Sequence, residues 1–472
     1  MAIIDDGITN QTQINQNKHT AIEYDYYYGF PDTDDGVPDT HGDKIFRSAL
    51  NVSRAYDVVD LKVADAALGD ITNIYVEQAL RDILASPEIK IGAINMSFGS
   101  ELYPNEFADE IAQLAAIGVL SVVAAGNDGR SSTIESPLYP AALPYVISVG
   151  SHDGAGNPSD FSQNGPGVDI LGDGEDMPAR GIDGTSFATP RVAATVTHAQ
   201  AIVHGLTGGL LNVDQMVDVL QQGGAGPKSK PDPADGHTRY FLHDHNGSLD
   251  YAWAHYGGSP ARALEYVASY PDLMAAIGAN AEGGRLHFEH QGSIEERGIS
   301  FDGLNYIASY GDLISAFGAN AGAGARHYIV AGFREGRSTT FDGLDYIASY
   351  GDLISAFGTN EAAAAPHFIT SGVREGRSIG FDGLDYIASY RDLIIALGAD
   401  EAAGASHFIT AGFRELRSRD EFDERQYLAN YADLRAAFGD DAEAATRHYI
   451  TNGWAEGRTD EPTAAAASDF LL

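Results

Sequence analysis

The second half of the chain repeats itself, and this periodicity limits its fold more than any other feature. Tyr266, Tyr306, Tyr346, Tyr386 and Tyr427 recur at steps of 40, 40, 40 and 41 residues, each in a variant of Tyr-Ile-Ala-Ser-Tyr followed by x-Asp-Leu. His287, His327, His367, His407 and His448 keep the same steps, as do Arg297, Arg337, Arg377, Arg417 and Arg458. A period near forty means stacked units, none able to bury its apolar side alone. Within one unit, Phe341, Leu344, Ile347 and Tyr350 have helical spacing. Leu353, Ile354 and Phe357 mark a second short helix stopped by Gly358, and His367-Phe368-Ile369 a third ended near Gly372. Residues 262–458 are therefore expected to form an all-α array of five units. Equal spacing puts each repeated histidine in the same structural slot, so these read as packed or capping side chains and not as ligands of one ion. The arginines are expected to pair with a neighbouring unit's acid. No ligand of the repeats is named by the sequence.

The first half has a different grammar. Leu61-Lys62-Val63, Ile91 to Met96, Val119 to Ala125 and Val146 to Val149 are short apolar runs suited to buried parallel strands. Helix-like segments, Val76 to Leu84 and Glu106 to Ile117, lie between them. This alternation predicts an α/β domain with a doubly wound parallel sheet over residues 1–225. All six lysines lie before residue 240, and Gly226 to Pro233 is rich in proline, so 226–261 reads as a linker.

Composition removes several function classes. With 67 acidic against 29 basic residues the formal charge is −38, a field that repels phosphate backbones, so no nucleic-acid partner is expected. The chain has no cysteine, which excludes disulfides, iron–sulfur clusters and a thiol nucleophile. Its longest apolar stretch, Ile111 to Gly126, is interrupted by Gln113 and Ser121, so no membrane span is expected.

Four short segments of the first half carry chemistry. Gly184-Thr185-Ser186-Phe187-Ala188-Thr189-Pro190 places Ser186 at the opening of a helix running to about His204, with Pro190 in its first turn. A serine there gains amide donors and partial positive charge beside any oxyanion it forms; taken alone, it reads more readily as an N-cap. Thr40-His41-Gly42 precedes a helical segment, Asp43 to Leu50, and offers a base or a plain loop histidine. Ile3-Ile4-Asp5-Asp6-Gly7 ends an apolar strand in a carboxylate, where α/β sheets place functional groups, or simply turns. Asn127, after the strand Val119 to Val123, offers an amide donor or a Gly-Asn turn. Together they supply an acid, a base and a nucleophile in the chain order Asp, His, Ser.

With these motifs, residues 1–225 resemble the subtilisin-like serine proteases, the subtilases. Ile94-Asn95-Met96-Ser97-Phe98-Gly99, Ala125-Gly126-Asn127, Pro144 to Gly150 and Phe161 to Gly165 extend the resemblance beyond the Ser186 segment. It implies a secreted endopeptidase in which Ser186 attacks the scissile carbonyl, His41 serves as general base and then acid, and Asp5, rather than Asp6, orients the imidazole. It implies further that Asn127 and the Ser186 amide hold the oxyanion, that Ser97, Phe98 and Gly99 bind peptide by backbone hydrogen bonds, and that Gly126 leaves room for the P1 side chain. The chemistry implied needs no cofactor. Structural Ca²⁺ is an expectation without assigned ligands; Asp32 to Asp35 and Asp173 to Asp176 are the acidic loops available.

Three segments depart from the family pattern. Only four residues precede Asp5, and the first twenty do not have the pattern of a Sec-type signal, so neither a pro-segment nor such a signal is expected within this sequence. His41-Gly42 is followed by Asp43, a charge expected to raise the pKa of His41 if the two are close. Ile170-Leu171-Gly172-Asp173-Gly174 stands where the family commonly shows Ala-Pro-Gly. A catalytically impaired subtilase-like protein, binding or adhering through its repeats, is thus the alternative. The tail, 459–472, closes on Ser468-Asp469-Phe470-Leu471-Leu472 and resembles a type I secretion signal, so an extracellular bacterial protein exported by that machinery is expected.

Overall fold

A computed structural model describes the chain except residues 10–11, 14–21, 27–38, 55, 65–70, 130–135, 164, 176–182, 231–237 and 463–472. The acidic loop at 32–35, Asp176 and the final ten residues therefore lie outside the described residues. The chain divides into two compact units, Met1–Tyr266 with Asn280–Ser300, and Val267–Ala279 with Phe301–Leu472.

In the first unit seven described strands form one parallel sheet: β1 (Ala2–Asp5), β2 (Ile22–Asp25), β3 (Val59–Lys62), β4 (Ala93–Met96), β5 (Leu120–Ala124), β6 (Val146–His152) and β7 (Ile170–Asp173). Their order is β2-β3-β1-β4-β5-β6-β7. β1 pairs with β3, Asp5 opposite Lys62, and with β4, Ile4 opposite Met96. Covering on both faces explains why β1, β3, β4 and β5 are buried along their whole length. From β1 the chain goes to the edge strand β2, returns inward through β3, and then crosses to β4 on the other side of β1. The strand order thus reverses between β1 and β4, and a crevice opens at the carboxyl ends of strands at such a point. Asp5 ends one of these strands and Ser97 follows the other.

The apolar runs foretold the interior strands but not the outer two. β2 lies at one edge and is half exposed. β7 is the segment that stands in place of Ala-Pro-Gly. Lys62 and Asp25 form an ion pair at 3.2 Å with both side chains at most 1% exposed. Three helices that bear on the sheet are α1 (His41–Leu50), α2 (Asn73–Ala85) and α3 (Ala108–Ala116). α4 (Thr185–Thr207) carries the small apolar residues that let it lie close to the strands, and Ala188, Val192, Ala193, Ala194 and Val196 are fully or almost fully buried. Residues 226–261, expected as a linker, instead carry the antiparallel pair β8 (Pro227–Lys230) and β9 (Thr238–Phe241) and a helix α6 (His245–His255); α5 (Val213–Gly223) precedes them. Among the described residues no helix is long and apolar enough to cross a membrane.

The second unit is rich in short helices. Its unit around Tyr346 has helices Gly343–Ala348, Gly351–Phe357 and Ala364–His367, the last continued as one π-helical turn, Phe368–Gly372. Asp342 caps the first by accepting from the Asp345 amide at 2.8 Å. Gly358, at φ +54°, ends the second. The buried tyrosines 306, 346, 386 and 427 each hold Nδ1 of the histidine 21 residues later at 2.9–3.0 Å. Gly372 must lack a side chain, because a Cβ there would sit 2.4 Å from the Tyr346 hydroxyl. The histidines are therefore packed partners, as their spacing implied. The arginines differ from expectation: Arg337, Arg377, Arg417 and Arg458 pair with Asp312, Asp352, Asp392 and Asp433 of their own unit. Each also lies over a tyrosine ring of that unit, 4.7–4.9 Å from its centre.

Candidate active site

Asp5 is carried to the switch point by the buried strand Ala2–Ile4, and its carboxylate is 2% exposed. Its Oδ1 lies 2.8 Å from Nδ1 of His41, the first residue of α1. The charge of Asp5 is the main cause of a raised His41 pKa; burial opposes it, and the hydrogen bond, Asp6 and, in the other direction, Lys44 complete the balance.

Why the helix begins at His41 is visible in its cap. Thr40 accepts the Asp43 amide at 3.0 Å while Asp43 accepts the Thr40 amide at 3.1 Å, a reciprocal capping box. Asp43 also accepts from the amide and hydroxyl of Thr9. Both of its oxygens are engaged by these donors, and the largest influences on His41 come from Asp5, burial, Asp6 and Lys44. The second carboxylate acting on His41 is that of Asp6. It accepts the His41 amide through Oδ2 at 3.1 Å and the Gly42 amide through Oδ1 at 2.6 Å. Gly42 has no alternative residue type: a Cβ there would lie 2.4 Å from the Gly7 carbonyl.

Ser186 is the second residue of α4. Pro190 lies one turn deeper than the sequence suggested, at the sixth position, where its missing N–H deprives the Ser186 carbonyl of its helical donor. The Ser97 hydroxyl replaces that donor at 3.0 Å, and the Ser186 hydroxyl donates back to the Ser97 carbonyl at 3.1 Å. Among the described residues Ser186 and His41 share no direct hydrogen bond. Their neighbourhood is nonetheless common, since the rings of His41 and Phe187 are 6.0 Å apart and Ser48 of α1 donates to the Phe187 carbonyl at 2.8 Å.

Asn127 is exposed beyond β5, and its Oδ1 accepts the amide of Thr185 at 2.9 Å and its hydroxyl at 3.0 Å. That leaves the amide nitrogen of Asn127 as a free donor beside the start of α4. Ser97 is buried, whereas Phe98 is half-buried and Gly99 exposed, and no described hydrogen bond engages the backbone of these last two. The next residue, Ser100, exchanges two backbone bonds with Tyr139. Gly126, at φ +115°, faces Leu138 and Gln163; a Cβ would lie 2.8 Å from Leu138 Cδ1. Those two side chains thus occupy the room that a side chain at 126 would need.

Two cavities lie apart from Asp5, His41 and Ser186. Cavities of about 570 and 670 Å³ are lined by sets that include His198, His245 and His290 in one and Leu138, Tyr139 and Asp214 in the other, and neither contains Asp5, His41 or Ser186. Among the described residues no three His, Asp or Glu side chains stand where they could hold a metal ion.

The model of the Subtilase family matches residues 1–220. Residues 1–220 are thus similar to the subtilase family. The chain is 30% identical over 168 residues to alkaline protease 1 of Aspergillus clavatus, a match covering 33% of this chain and 40% of that protein. It is 30% identical over 210 residues to the alkaline elastase YaB of a Bacillus species, covering 41% and 52%. An alkaline proteinase of Hapsidospora chrysogena is 36% identical over 138 residues, covering 27% and 33%. The chain thus spans about half or less of the length of these relatives. A solved structure of a cold-adapted subtilisin-like serine proteinase is 22% identical, with TM-score 0.41, covering 51% of this chain and 86% of that one.

Proposed function

We propose that the chain is a serine endopeptidase working through Asp5, His41 and Ser186. The observation that carries this reading is the 2.8 Å contact between Asp5 and His41 Nδ1, made at the strand-order reversal beside the start of the Ser186 helix. Ser186 attacks the peptide carbonyl while His41 Nε2 takes its proton. Asp5 holds Nδ1–H, fixes the tautomer and stabilises the imidazolium that forms. The oxyanion takes the amide of Asn127 and the backbone N–H of Ser186. Collapse expels the amine, protonated by His41, and water then hydrolyses the acyl-enzyme by the same steps in reverse. The Ser186 hydroxyl must first leave the Ser97 carbonyl, a rotation about one side-chain bond that peptide binding along Ser97, Phe98 and Gly99 would favour by strand addition. Gly126 forms the floor of the P1 position in this reading.

Hydrolysis of a peptide library by the full chain, with Ser186→Ala alongside, tests the proposal. The expected loss is of order 10⁶ in kcat; cleavage retained in the variant would reject Ser186 as nucleophile.

A second reading, an impaired subtilase that binds through its repeats, is favoured by one observation, the engagement of the Ser186 hydroxyl with Ser97 rather than His41. It predicts no cleavage by a folded chain. Under either reading the protein is proposed to act outside the cell, exported by type I machinery, with the repeats serving in attachment or spacing and Ca²⁺ in a structural role without assigned ligands.

A further inference from the structure

We propose that Asp6 is a positioning residue for His41, dividing with Asp5 the task of holding one histidine: Asp5 takes the ring and Asp6 the backbone. The inference rests on the protease reading for its catalytic meaning, but the geometry is independent of it. Asp6 is 8% exposed, and each of its oxygens accepts an amide from one of the first two residues of α1, His41 at 3.1 Å and Gly42 at 2.6 Å. Charge-assisted bonds of this kind to a helix's first amides are strong and directional. They tie the loop after β1 to the origin of α1, so the imidazole cannot shift along the helix axis without breaking both.

The clamp is matched from the other side. Asp43 reaches back from α1 to Thr9 of the same loop, and Asp60 of β3 accepts the Ile8 amide at 2.8 Å. Asp6 adds to the effect of Asp5 in raising the His41 pKa. The charged groups facing His41 are Asp5, Asp6 and, with opposite effect, Lys44 on α1. Asp6 itself is held at about 7, by burial first and then by the charge of Asp5, with the two amides and His41 opposing. An ionised Asp6 can accept from both amides; a protonated one gives up an acceptor site and its charge. Grip on His41 and support for the imidazolium therefore weaken together as Asp6 gains its proton.

The test is Asp6→Asn in the full chain, read in two ways. The His41 ring is titrated by NMR, its signals assigned against His41→Gln, and kcat/KM for a peptide substrate is followed against pH. Loss of the Asp6 charge should lower the His41 pKa, move the acid limb of kcat/KM in the same direction and reduce its plateau about tenfold by loosening α1. Asp6→Ser, neutral but smaller, should give the same titration shift if the asparagine variant fails to fold. An unmoved His41 titration in a folded variant overturns the proposal. A chain that cleaves nothing, yet whose His41 titration moves, overturns the protease reading and keeps this one.

Discussion

Ser97 and Ser186 hold each other by two hydrogen bonds, hydroxyl to carbonyl in both directions, at 3.0 and 3.1 Å. One bond exists because Pro190 cannot donate to the Ser186 carbonyl. The prolyl residue near the start of α4 thus has a structural consequence at the nucleophile: it frees a carbonyl that the substrate-binding segment then uses to lock the two together.

This coupling is measurable. Ser97→Ala leaves the Ser186 carbonyl without a donor and should cost about 1–3 kcal/mol. Pro190→Ala restores a helical N–H to that carbonyl, so Ser97→Ala should cost less in its presence. Denaturant unfolding of the four chains gives the coupling directly. Additive costs would mean that Pro190 and Ser97 do not meet at this carbonyl.

Asn127→Asp keeps the oxygen that binds Thr185 but removes the amide donor. The expected effect is a fall in kcat of about 10²–10³ with little change in KM, a magnitude known for such a donor in subtilisin itself. An equal rise in KM would assign Asn127 to ground-state binding.

His41 must be neutral to take a proton, and its pKa is raised, chiefly by the charge of Asp5. The acid limb of kcat/KM should therefore lie above the ordinary histidine value, and Asp5→Asn should lower it while reducing kcat by about 10⁴. For folding, a raised histidine pKa stabilises the native chain below its unfolded value and loses that effect as pH rises through the folded one. A pH–rate profile of the two chains checks the first claim, and a limb at or below the free-histidine value would contradict it.

The repeats carry a pH effect of their own. Asp345 is 5% exposed and is pushed up to about 8, by burial first and then by Asp342, Glu401, Asp382 and Asp385. Its folded pKa is raised, so its stabilisation is present below the ordinary carboxylate range and is lost as pH rises towards 8. The thermal midpoint of the full chain should fall over that range, and Asp345→Asn should flatten the fall, with a gain on the order of a few kcal/mol above pH 8. Asn305 already occupies the corresponding position one repeat earlier. A variant that tracks the parent at every pH would contradict this.

Much of this was readable in the residues. The run Ala2 to Ile4 announced a buried strand, and the helical spacings of the second half announced a helix-rich region. What escaped were features made by contacts across the chain. Asp43 read as a charge near the base, and its bonds to Thr9 and Thr40, one of them 34 residues away, lay beyond local reading. Asp6 read as the lesser neighbour of Asp5 because its acceptor role depends on amides of α1. β2 is a half-exposed edge strand and lacks the apolar run that marks interior strands. The π-helical turn after His367 arises where Gly372 must clear the Tyr346 hydroxyl, a constraint between residues 26 apart.

The central claim is that Asp5, His41 and Ser186 form a working nucleophile. Labelling of the full chain with a fluorophosphonate probe, followed by mass mapping of the modified peptide, tests it most directly. The account predicts one adduct, on Ser186, that disappears in Ser186→Ala and is strongly slowed in His41→Ala. A folded chain that takes no label, or takes it on another serine, would contradict it.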